Sequence, residues 1–199
     1  MHDFSTLAAV VDSPIDLSLQ QWHRLYERAL ASRADLLLEL GRGYGNSTVV
    51  LTEAAHRLGI RVVSLDADDE PRFEGVTWPK LRKVVGDDWR RRLAAYRGDA
   101  REFMPPPCER CFMFWDVHGV DVARHVLDRL IPGLPAGSTV VVHDVNSADE
   151  AAAQPHPDGY GFRWNGLLSP FPELPLIGAW LAERGLLWEQ DTGMLAFRV

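Results

Sequence analysis

The sequence predicts an α/β fold, with a mostly parallel sheet of about seven strands, helices on both faces and a C-terminal antiparallel hairpin. Short, β-rich apolar runs alternate along the chain with longer stretches of helical spacing, and this alternation is typical of a parallel sheet covered by helices. The chain has 199 residues, of which 46% are hydrophobic. This length and composition suit a single domain over residues 1–199 that buries a sizeable core.

The charge balance limits the partners that the chain is expected to bind. Lys and Arg number 21 and Asp and Glu number 28, so the formal net charge is −7. This acidic balance argues against nucleic acid or an anionic membrane surface as a partner, because phosphate binding needs a basic field. Two cysteines cannot build a disulfide framework, and no apolar run approaches the ~20 residues of a membrane span. We therefore expect a cytoplasmic protein that binds a small molecule.

The strands are predicted from short apolar runs that fit burial on both faces of a sheet. They are Ala34–Leu40, Ile60–Leu65, Leu93–Arg97, Cys111–Trp115 and Ser138–Val142, followed by a hairpin of Leu186–Glu189 and Met194–Val199 around Asp191-Thr192-Gly193. Helical spacing predicts a helical extension within residues 1–33 and helices at Ser47–Leu58, around Asp87–Ala94, at Asp121–Leu130 and at Glu173–Glu183. Residues 146–172 are polar and contain Pro, Gly and aromatic residues, so we expect a lid loop there. The N-terminal helix carries aromatic residues that are expected to be exposed, so a homodimer is a further expectation.

A glycine-rich turn joins the first predicted strand to the helix that follows it. The segment Glu39–Ser47 (ELGRGYGNS) places Gly41, Gly43 and Gly45 at alternate positions. Glycine allows positive φ angles and close approach of the backbone to a ligand, and the helix start behind it presents free N–H groups. The G-x-G-x-G spacing differs from the G-x-G-x-x-G of dinucleotide folds. Glu39 would also lie close to a pyrophosphate, so the pattern favours a cofactor with a positive centre and no phosphate.

Acidic residues follow the second and third predicted strands. Asp66 ends the second strand, where an acid accepts hydrogen bonds from ribose hydroxyls. Asp99 follows the third strand within Gly98-Asp99-Ala100. Ligands of open α/β sheets bind beyond the carboxyl ends of the strands, so these acids are expected to border the same cleft as the glycine turn.

The segments ELGRGYGNST and VVSLDAD resemble motif I and the following acidic motif of the class I S-adenosylmethionine-dependent methyltransferases. The resemblance implies a Rossmann-like fold, S-adenosylmethionine as the cofactor, a glycine loop that holds its methionine moiety and an acid that binds its ribose. Gly98-Asp99-Ala100 resembles the family segment that lines the adenine. The positions to which the resemblance assigns cofactor binding are Glu39, Gly41, Arg42, Gly43, Gly45, Ser47, Asp66, Ala67, Asp99, Ala100 and Asp116.

A second polar cluster follows the fourth and fifth predicted strands. Asp116 and His118 follow the fourth strand, and His143 and Asp144 follow the fifth. The ends of neighbouring strands converge, so Asp116, His143 and Asp144 would offer two carboxylates and an imidazole to one metal ion. Carboxylates with water suit Mg²⁺, and an added imidazole also admits Mn²⁺, Zn²⁺ or Fe²⁺. We therefore expect a divalent metal here, with Mg²⁺ first and Mn²⁺ second.

This cluster resembles the branch of the family that methylates hydroxyl groups with a divalent ion. The branch includes catechol-type and sugar (rhamnosyl or macrolide) O-methyltransferases and relatives of the cephalosporin hydroxylases. In its sugar members Asp-Gly-Asp-His follows strand four, and His-Asp or Glu-Asp follows strand five. The segment Asp116–His118 is one residue shorter and lacks the second Asp. The upstream stretch from Ser13 is also similar, so the resemblance covers most of Ser13 to Val145.

The resemblance implies methyl transfer to a hydroxyl of a sugar, a phenol or a natural product. Asp116, His118 and His143 are the expected catalytic residues, with His118 as the group that takes the hydroxyl proton. Two alternatives stay open. In one, the enzyme needs no metal, and His118 or His143 is the base. In the other, the protein is a cofactor-binding or scaffold protein without catalysis, an alternative that the shortened Asp116–Gly119 segment keeps open.

Overall fold

The computed structural model describes residues 4–11, 18–67, 73–149 and 161–199. Within these ranges the main sheet has seven strands in the order β3-β2-β1-β4-β5-β10-β9. Strands β1 to β5 are parallel to one another, and β10 runs antiparallel to both β5 and β9. The predicted sheet and its terminal hairpin are thereby confirmed. Within the described ranges, no helix combines the length and apolar character that a bilayer span requires.

The strands of the main sheet are β1 (Leu36–Leu40), β2 (Arg61–Asp66), β3 (Leu93–Arg97), β4 (Cys111–Trp115), β5 (Thr139–Val142), β9 (Trp188–Asp191) and β10 (Met194–Arg198). The helices in the described ranges are α1 (Phe4–Val11), α2 (Leu19–Ala31), α3 (Asn46–Leu58), α4 (Trp78–Val85), α5 (Trp89–Arg92), α6 (Val120–His125) and α7 (Leu174–Glu183). A π-helical turn, Val126–Leu130, continues α6. Each boundary lies within a few residues of its predicted counterpart, except between β2 and β3 and at the N-terminus.

The two faces of the sheet bury two separate cores, as the sequence pattern of β1 predicts. All five residues of β1 are buried. Leu36, Leu38 and Leu40 pack on one face with side chains of α6 and α7, while Leu37 packs on the other with side chains of α1, α2 and α3. Successive side chains of a strand point to opposite faces, so a continuous apolar run is what a doubly covered strand requires.

The connection between β2 and β3 differs from its prediction. A helix was expected around Asp87–Ala94, but the chain forms α4, a single 3-10 turn at Gly86–Asp88 and the short α5 before it enters β3. Pro79 lies in the first turn of α4, where the missing N–H of proline costs nothing. The helix α1 was likewise not predicted as a separate element. Residues 12–17, which include the start of the upstream resemblance at Ser13, lie outside the described residues.

The segment expected to be an irregular lid loop, 146–172, contains regular structure where it is described, so the loop prediction is wrong there. Strands β6 (Asn146–Ser147), β7 (Phe162–Trp164) and β8 (Leu167–Ser169) form a small antiparallel sheet in the order β6-β8-β7. Asn165 and Gly166 connect β7 to β8 with φ angles of 46° and 82°. An Asn-Gly pair with positive φ angles is the preferred two-residue hairpin turn, and it was the available sequence signal. Residues 150–160, the middle of the expected lid, lie outside the described residues.

Candidate functional site

The glycine turn between β1 and α3 is packed against protein on two sides and open between them. A Cβ at Gly41 would overlap the carbonyl oxygen of Asp116, and a Cβ at Gly45 would overlap the side chain of Thr77. Gly43 has a φ of 51°, and no described atom lies within 4 Å of the place where its Cβ would be. The backbone at Gly43 is therefore the part of the turn that a ligand can approach closely.

Glu39 is fully buried, although it was expected to contact the cofactor. Its carboxylate accepts hydrogen bonds from the hydroxyl of Thr48, at 2.8 Å, and from that of Ser64. Burial raises the pKa of Glu39, against the opposing effects of the hydroxyl of Ser47 and the charge of Arg42. The side chain faces neighbouring elements of the fold and links β1 to β2 and to the first turn of α3.

Asp66 holds the glycine turn directly. One of its carboxylate oxygens accepts the backbone N–H groups of Arg42, at 2.8 Å, and Gly43, at 3.0 Å. The guanidinium of Arg42 is buried and donates to Ser64 Oγ at 3.0 Å and to the carbonyl of Tyr96 at 3.0 Å. These contacts fix the conformation of the turn at the carboxyl edge of β1, β2 and β3.

The remaining residues expected at the cofactor lie at or near the same edge. Asp99 forms two-pronged hydrogen bonds with the side chain of Arg101 and accepts its backbone N–H, and these contacts lower the pKa of Asp99 to about 2. The Gly98 N–H, one residue before Asp99, donates to the Asp66 carbonyl at 2.9 Å, which joins the end of β3 to the end of β2. Ser47 and Ala100 are buried, and Ala67 follows Asp66 at the end of β2.

The acidic and histidine residues after β4 and β5 meet at the carboxyl edge of the sheet, as predicted. The distances are 2.9 Å between His143 Nδ1 and Asp116 Oδ1, 3.1 Å between His118 Nε2 and Asp144 Oδ2, and 3.7 Å between His118 Nε2 and Asp116 Oδ1. Asp144 has a φ of 59°, which is uncommon for a residue other than glycine. Such strained backbone is often found at functional sites.

The three side chains best grouped for a metal ion are Asp116, His118 and Asp144. One ligand atom from each of them lies within 4.8 Å of the others. The predicted ligand set contained His143 where this group has His118. Nε2 of His118 lies 3.1 Å from Asp144 Oδ2 and 3.7 Å from Asp116 Oδ1, so it faces both carboxylates. His143 contacts the same carboxylates from the end of β5, with Nδ1 2.9 Å from Asp116 and 3.4 Å from Asp144.

The electrostatics of this group fit a divalent cation. Burial opposes ionisation of Asp144, but the hydrogen bond from His118 and the charges of His143 and His118 outweigh it, so the pKa of Asp144 lies below its usual range. Asp144 is therefore ionised at neutral pH. Two carboxylates and an imidazole are a ligand set that suits Mn²⁺, Fe²⁺ or Zn²⁺. The carboxylate oxygens of the same set also suit Mg²⁺.

Two residues that the sequence did not single out complete the surroundings of His118. The Phe171 ring stacks on the imidazole, with ring centroids 3.4 Å apart and an angle of 11° between the planes. Glu173 is buried, accepts the backbone N–H of Gly119 and lies 3.9 Å from His118 Nδ1. Both residues follow β8 and lie more than fifty positions from His118, so only the tertiary fold reveals the contact.

No protein-family model and no curated protein matches the chain. Solved structures do match. TomG, an O-methyltransferase from Streptomyces achromogenes involved in tomaymycin synthesis and solved in complex with S-adenosylmethionine, is 20% identical with a TM-score of 0.61, over 100% of this chain and 91% of that chain. An O-methyltransferase from Bacillus cereus, solved with S-adenosylhomocysteine, is 16% identical with a TM-score of 0.63, over 100% and 93%.

CalS11, a TDP-rhamnose 3'-O-methyltransferase of calicheamicin biosynthesis, is 15% identical with a TM-score of 0.60, over 100% of this chain and 96% of that chain. All three structural similarities extend over the whole chain. The sequence identities are low, so the function has to be inferred from the residues of the site. The chain has the Rossmann-like α/β fold of the S-adenosylmethionine-dependent O-methyltransferases.

Proposed function

We propose that the protein is an S-adenosylmethionine-dependent methyltransferase that methylates a hydroxyl of a small molecule with the help of a divalent metal ion. One observation carries this proposal. The glycine turn and the Asp116–His118–Asp144 group are in direct contact, because Gly41 packs against the backbone of Asp116. A cofactor on the turn and an oxygen at the acidic group would therefore be neighbours, as a direct methyl transfer requires.

The residues around the turn fit the cofactor that the fold implies. The open face of Gly43 leaves space for close approach of a ligand, and Asp66 holds the turn in that conformation. The turn also precedes α3, whose first N–H groups lack helical partners and favour a carboxylate such as that of a methionine moiety. These features support S-adenosylmethionine binding along the edge from Gly41 to Asp99.

Methyl transfer from a sulfonium to a hydroxyl is an in-line displacement that requires alignment and loss of the hydroxyl proton. Correct alignment alone lowers a barrier by up to about 7–11 kcal/mol. A cation bound at this site would lower the pKa of the hydroxyl, so that its proton can pass to solvent water, and would fix its oxygen. Asp116, Asp144 and His118 are the residues that would hold this cation, and His143 orients Asp116 through their hydrogen bond.

A metal-independent methyltransferase is the second candidate. The contact between His118 and Asp144 favours it, because an imidazole oriented by a carboxylate is a common general base. Against it, both ring nitrogens of His118 face carboxylates, with Asp144 near Nε2 and Glu173 near Nδ1. Nε2 is thus already engaged with the Asp144 carboxylate at 3.1 Å, and we therefore favour the metal-assisted reaction.

The two candidates are separated by metal binding and by a chelator. We expect Mn²⁺ to give a bound signal in electron paramagnetic resonance, and Asp116→Asn and Asp144→Asn to weaken its binding by at least about tenfold. Asp128→Asn, at an exposed site after α6, is the matched control and should bind Mn²⁺ like the wild type. A panel of sugars, phenols and catechols then tests turnover, which EDTA should abolish. Turnover that persists in EDTA would favour the metal-independent candidate.

A further inference from the structure

A groove of about 640 Å³ lies between the end of α2 and the edge strand β9. Its walls are mostly apolar and include Ala31, Leu186, Leu187, Trp188, Ala196 and Phe197. Thr139, the first residue of β5, also lines it, whereas Asp144 of the candidate site follows the last residues of the same strand. This surface, the β9 groove, is therefore at the opposite end of the sheet from the candidate site.

Ion pairs join the two sides of the β9 groove. Arg28, in the last turn of α2, pairs with Glu189, and Arg24 pairs with Asp191 at 3.0 Å. Both acids belong to β9, which is hydrogen-bonded along its other side to β10. A network of such pairs holds two elements together better than an isolated surface pair does. The groove is therefore formed by the fold itself, before any partner binds.

Leu187 is a large apolar side chain that projects beside this groove. It is 90% exposed, although its neighbours Leu186 and Trp188 pack against the core. A single exposed apolar residue is ordinary, but this one borders an apolar depression of the same surface. In a two-fold dimer each copy presents the same surface to the other. A projecting apolar side chain next to an apolar groove is what such a self-complementary contact requires.

Charged side chains of both signs border the β9 groove. Glu189 has 70% of its side chain exposed, and Arg198, at the end of β10, is exposed as well. Glu189 is paired with Ala196 across the strands, so Arg198 lies two positions further along β10 on the same face. A two-fold axis that passes between Glu189 and Arg198 brings each of them opposite the other residue of the second copy. The charges then attract across the contact.

We infer that the β9 groove is the contact surface of a homodimer, in which Leu187 of each copy lies in the groove of the other. β9 is the last strand in the sheet order, so no described strand of the main sheet covers its outer side. The apolar centre and charged border match the usual anatomy of protein interfaces. This contact leaves the carboxyl edge of β1 and β4 open, so the inference does not depend on the proposed function.

Sedimentation velocity across micromolar concentrations compares wild type, Leu187→Glu and Met104→Glu. Met104 is 84% exposed and borders a different cavity, so it is a matched control for a charge at an exposed apolar position. We expect wild type and Met104→Glu to dimerise alike. Leu187→Glu should raise the dissociation constant of the dimer at least about tenfold, because the dimer would bury its carboxylate without a partner. Thermal melts and S-adenosylhomocysteine titration, which should not change, exclude misfolding.

Charge reversal tests the contact between Glu189 and Arg198. Arg198→Glu should weaken the dimer, because it places like charges opposite each other. Adding Glu189→Arg should recover part of the lost affinity, since the double variant exchanges the two charges across the same contact. A double variant that dimerises no better than Arg198→Glu alone would contradict this pairing.

Three results would overturn the inference. In the first, the wild type is a monomer at every concentration. In the second, Leu187→Glu dimerises as tightly as the wild type, so that the contact lies elsewhere. In the third, a monomeric wild type binds the apolar anionic dye anilinonaphthalene sulfonate and Leu187→Glu does not, which would assign the groove to a small ligand. Weak S-adenosylhomocysteine binding in all variants would instead count against the proposed function alone.

Discussion

Glu39, Arg42 and Asp66 are charged residues at the glycine turn, and the contacts described for them are with the protein itself. Glu39 joins β1, β2 and α3, Arg42 reaches from the turn to the β3 backbone, and Asp66 binds the N–H groups of the turn. A turn with several left-handed residues is costly to order, and these contacts offset that cost before a ligand arrives. Preorganisation is thus a physical reason for so many charges at this turn.

Glu39 makes stability depend on pH in a direction opposite to that of a salt-bridged acid. Its folded-state pKa is raised above the unfolded value by burial, so the folded protein binds more protons between those two pKa values. Its contribution to the unfolding free energy is therefore present below pH 4.5 and is lost as pH rises through the folded pKa.

Urea unfolding of wild type and Glu39→Gln between pH 4 and 8 measures this contribution. We expect the wild type to lose stability relative to Glu39→Gln as pH rises, because the variant has no group to ionise there. Other titrating groups cancel in the difference between the two proteins. A difference that is independent of pH, or that grows in favour of wild type, would contradict the burial argument.

The sequence predicted part of the acidic and histidine group after β4 and β5, and it missed one member for a definite reason. Asp116, His143 and Asp144 follow strands directly, so their position at the sheet edge needs only the strand assignment. His118 is stacked on Phe171, more than fifty residues away, where it is grouped with the carboxylates. Contacts of that range leave no local pattern in the sequence.

At the level of helices and strands, the apolar runs predicted the strands of the main sheet well. The connections between these elements were predicted less well. Every residue of β1 and β4 is buried. A short, continuous apolar run of this kind is typical of a strand that is covered on both faces. The hairpin of β7 and β8 has short strands with mixed burial, so only its Asn165-Gly166 turn marked it. Propensity is weakest where an element owes its form to tertiary packing.

The packing of α4 against the glycine turn leads to a prediction about Gly45. Gly45 has a φ of 77°, and Thr77, which precedes α4, occupies the space that a Cβ would need. Gly59 has a similar φ of 73°, and its Cβ would meet no described atom within 4 Å. We expect Gly59→Ala to cost about 1–2 kcal/mol of unfolding free energy, and Gly45→Ala clearly more, because the overlap adds to the same backbone penalty. Denaturant unfolding measures both losses. Equal losses of unfolding free energy in the two variants would show that the Thr77 side chain moves aside without cost.

At the scale of the whole molecule, the sheet order explains why the two halves of the site meet. The chain runs outward from β1 through β2 to β3, and then returns to place β4 on the other side of β1. The order of strands reverses between β1 and β4, and ligands of open α/β sheets bind at such a switch point. The glycine turn follows β1 and Asp116 follows β4, so this one topological feature brings the glycine turn and the acidic group together.

A ligand that binds at this junction should stabilise the entire domain. Saturation at 100 times the dissociation constant adds about 2.7 kcal/mol to the unfolding free energy. For a domain of this size, 1 kcal/mol raises Tm by about 2–4 °C, so S-adenosylhomocysteine should raise Tm by about 5–11 °C at that concentration. Differential scanning calorimetry checks this value, with adenosine as a control for non-specific binding. An unchanged Tm would count against a cofactor site.

The open face of the glycine turn is the proposed binding site of S-adenosylmethionine, and calorimetric titration with S-adenosylhomocysteine measures that binding. Gly43→Ala and Gly59→Ala place the same methyl group on left-handed backbone in open space, so they should cost similar stability. Only Gly43 faces the proposed cofactor. We predict that wild type and Gly59→Ala bind S-adenosylhomocysteine alike and that Gly43→Ala binds at least about tenfold more weakly, a loss of about 1.4 kcal/mol. Equal binding by all three proteins, or none by the wild type, would contradict the claim.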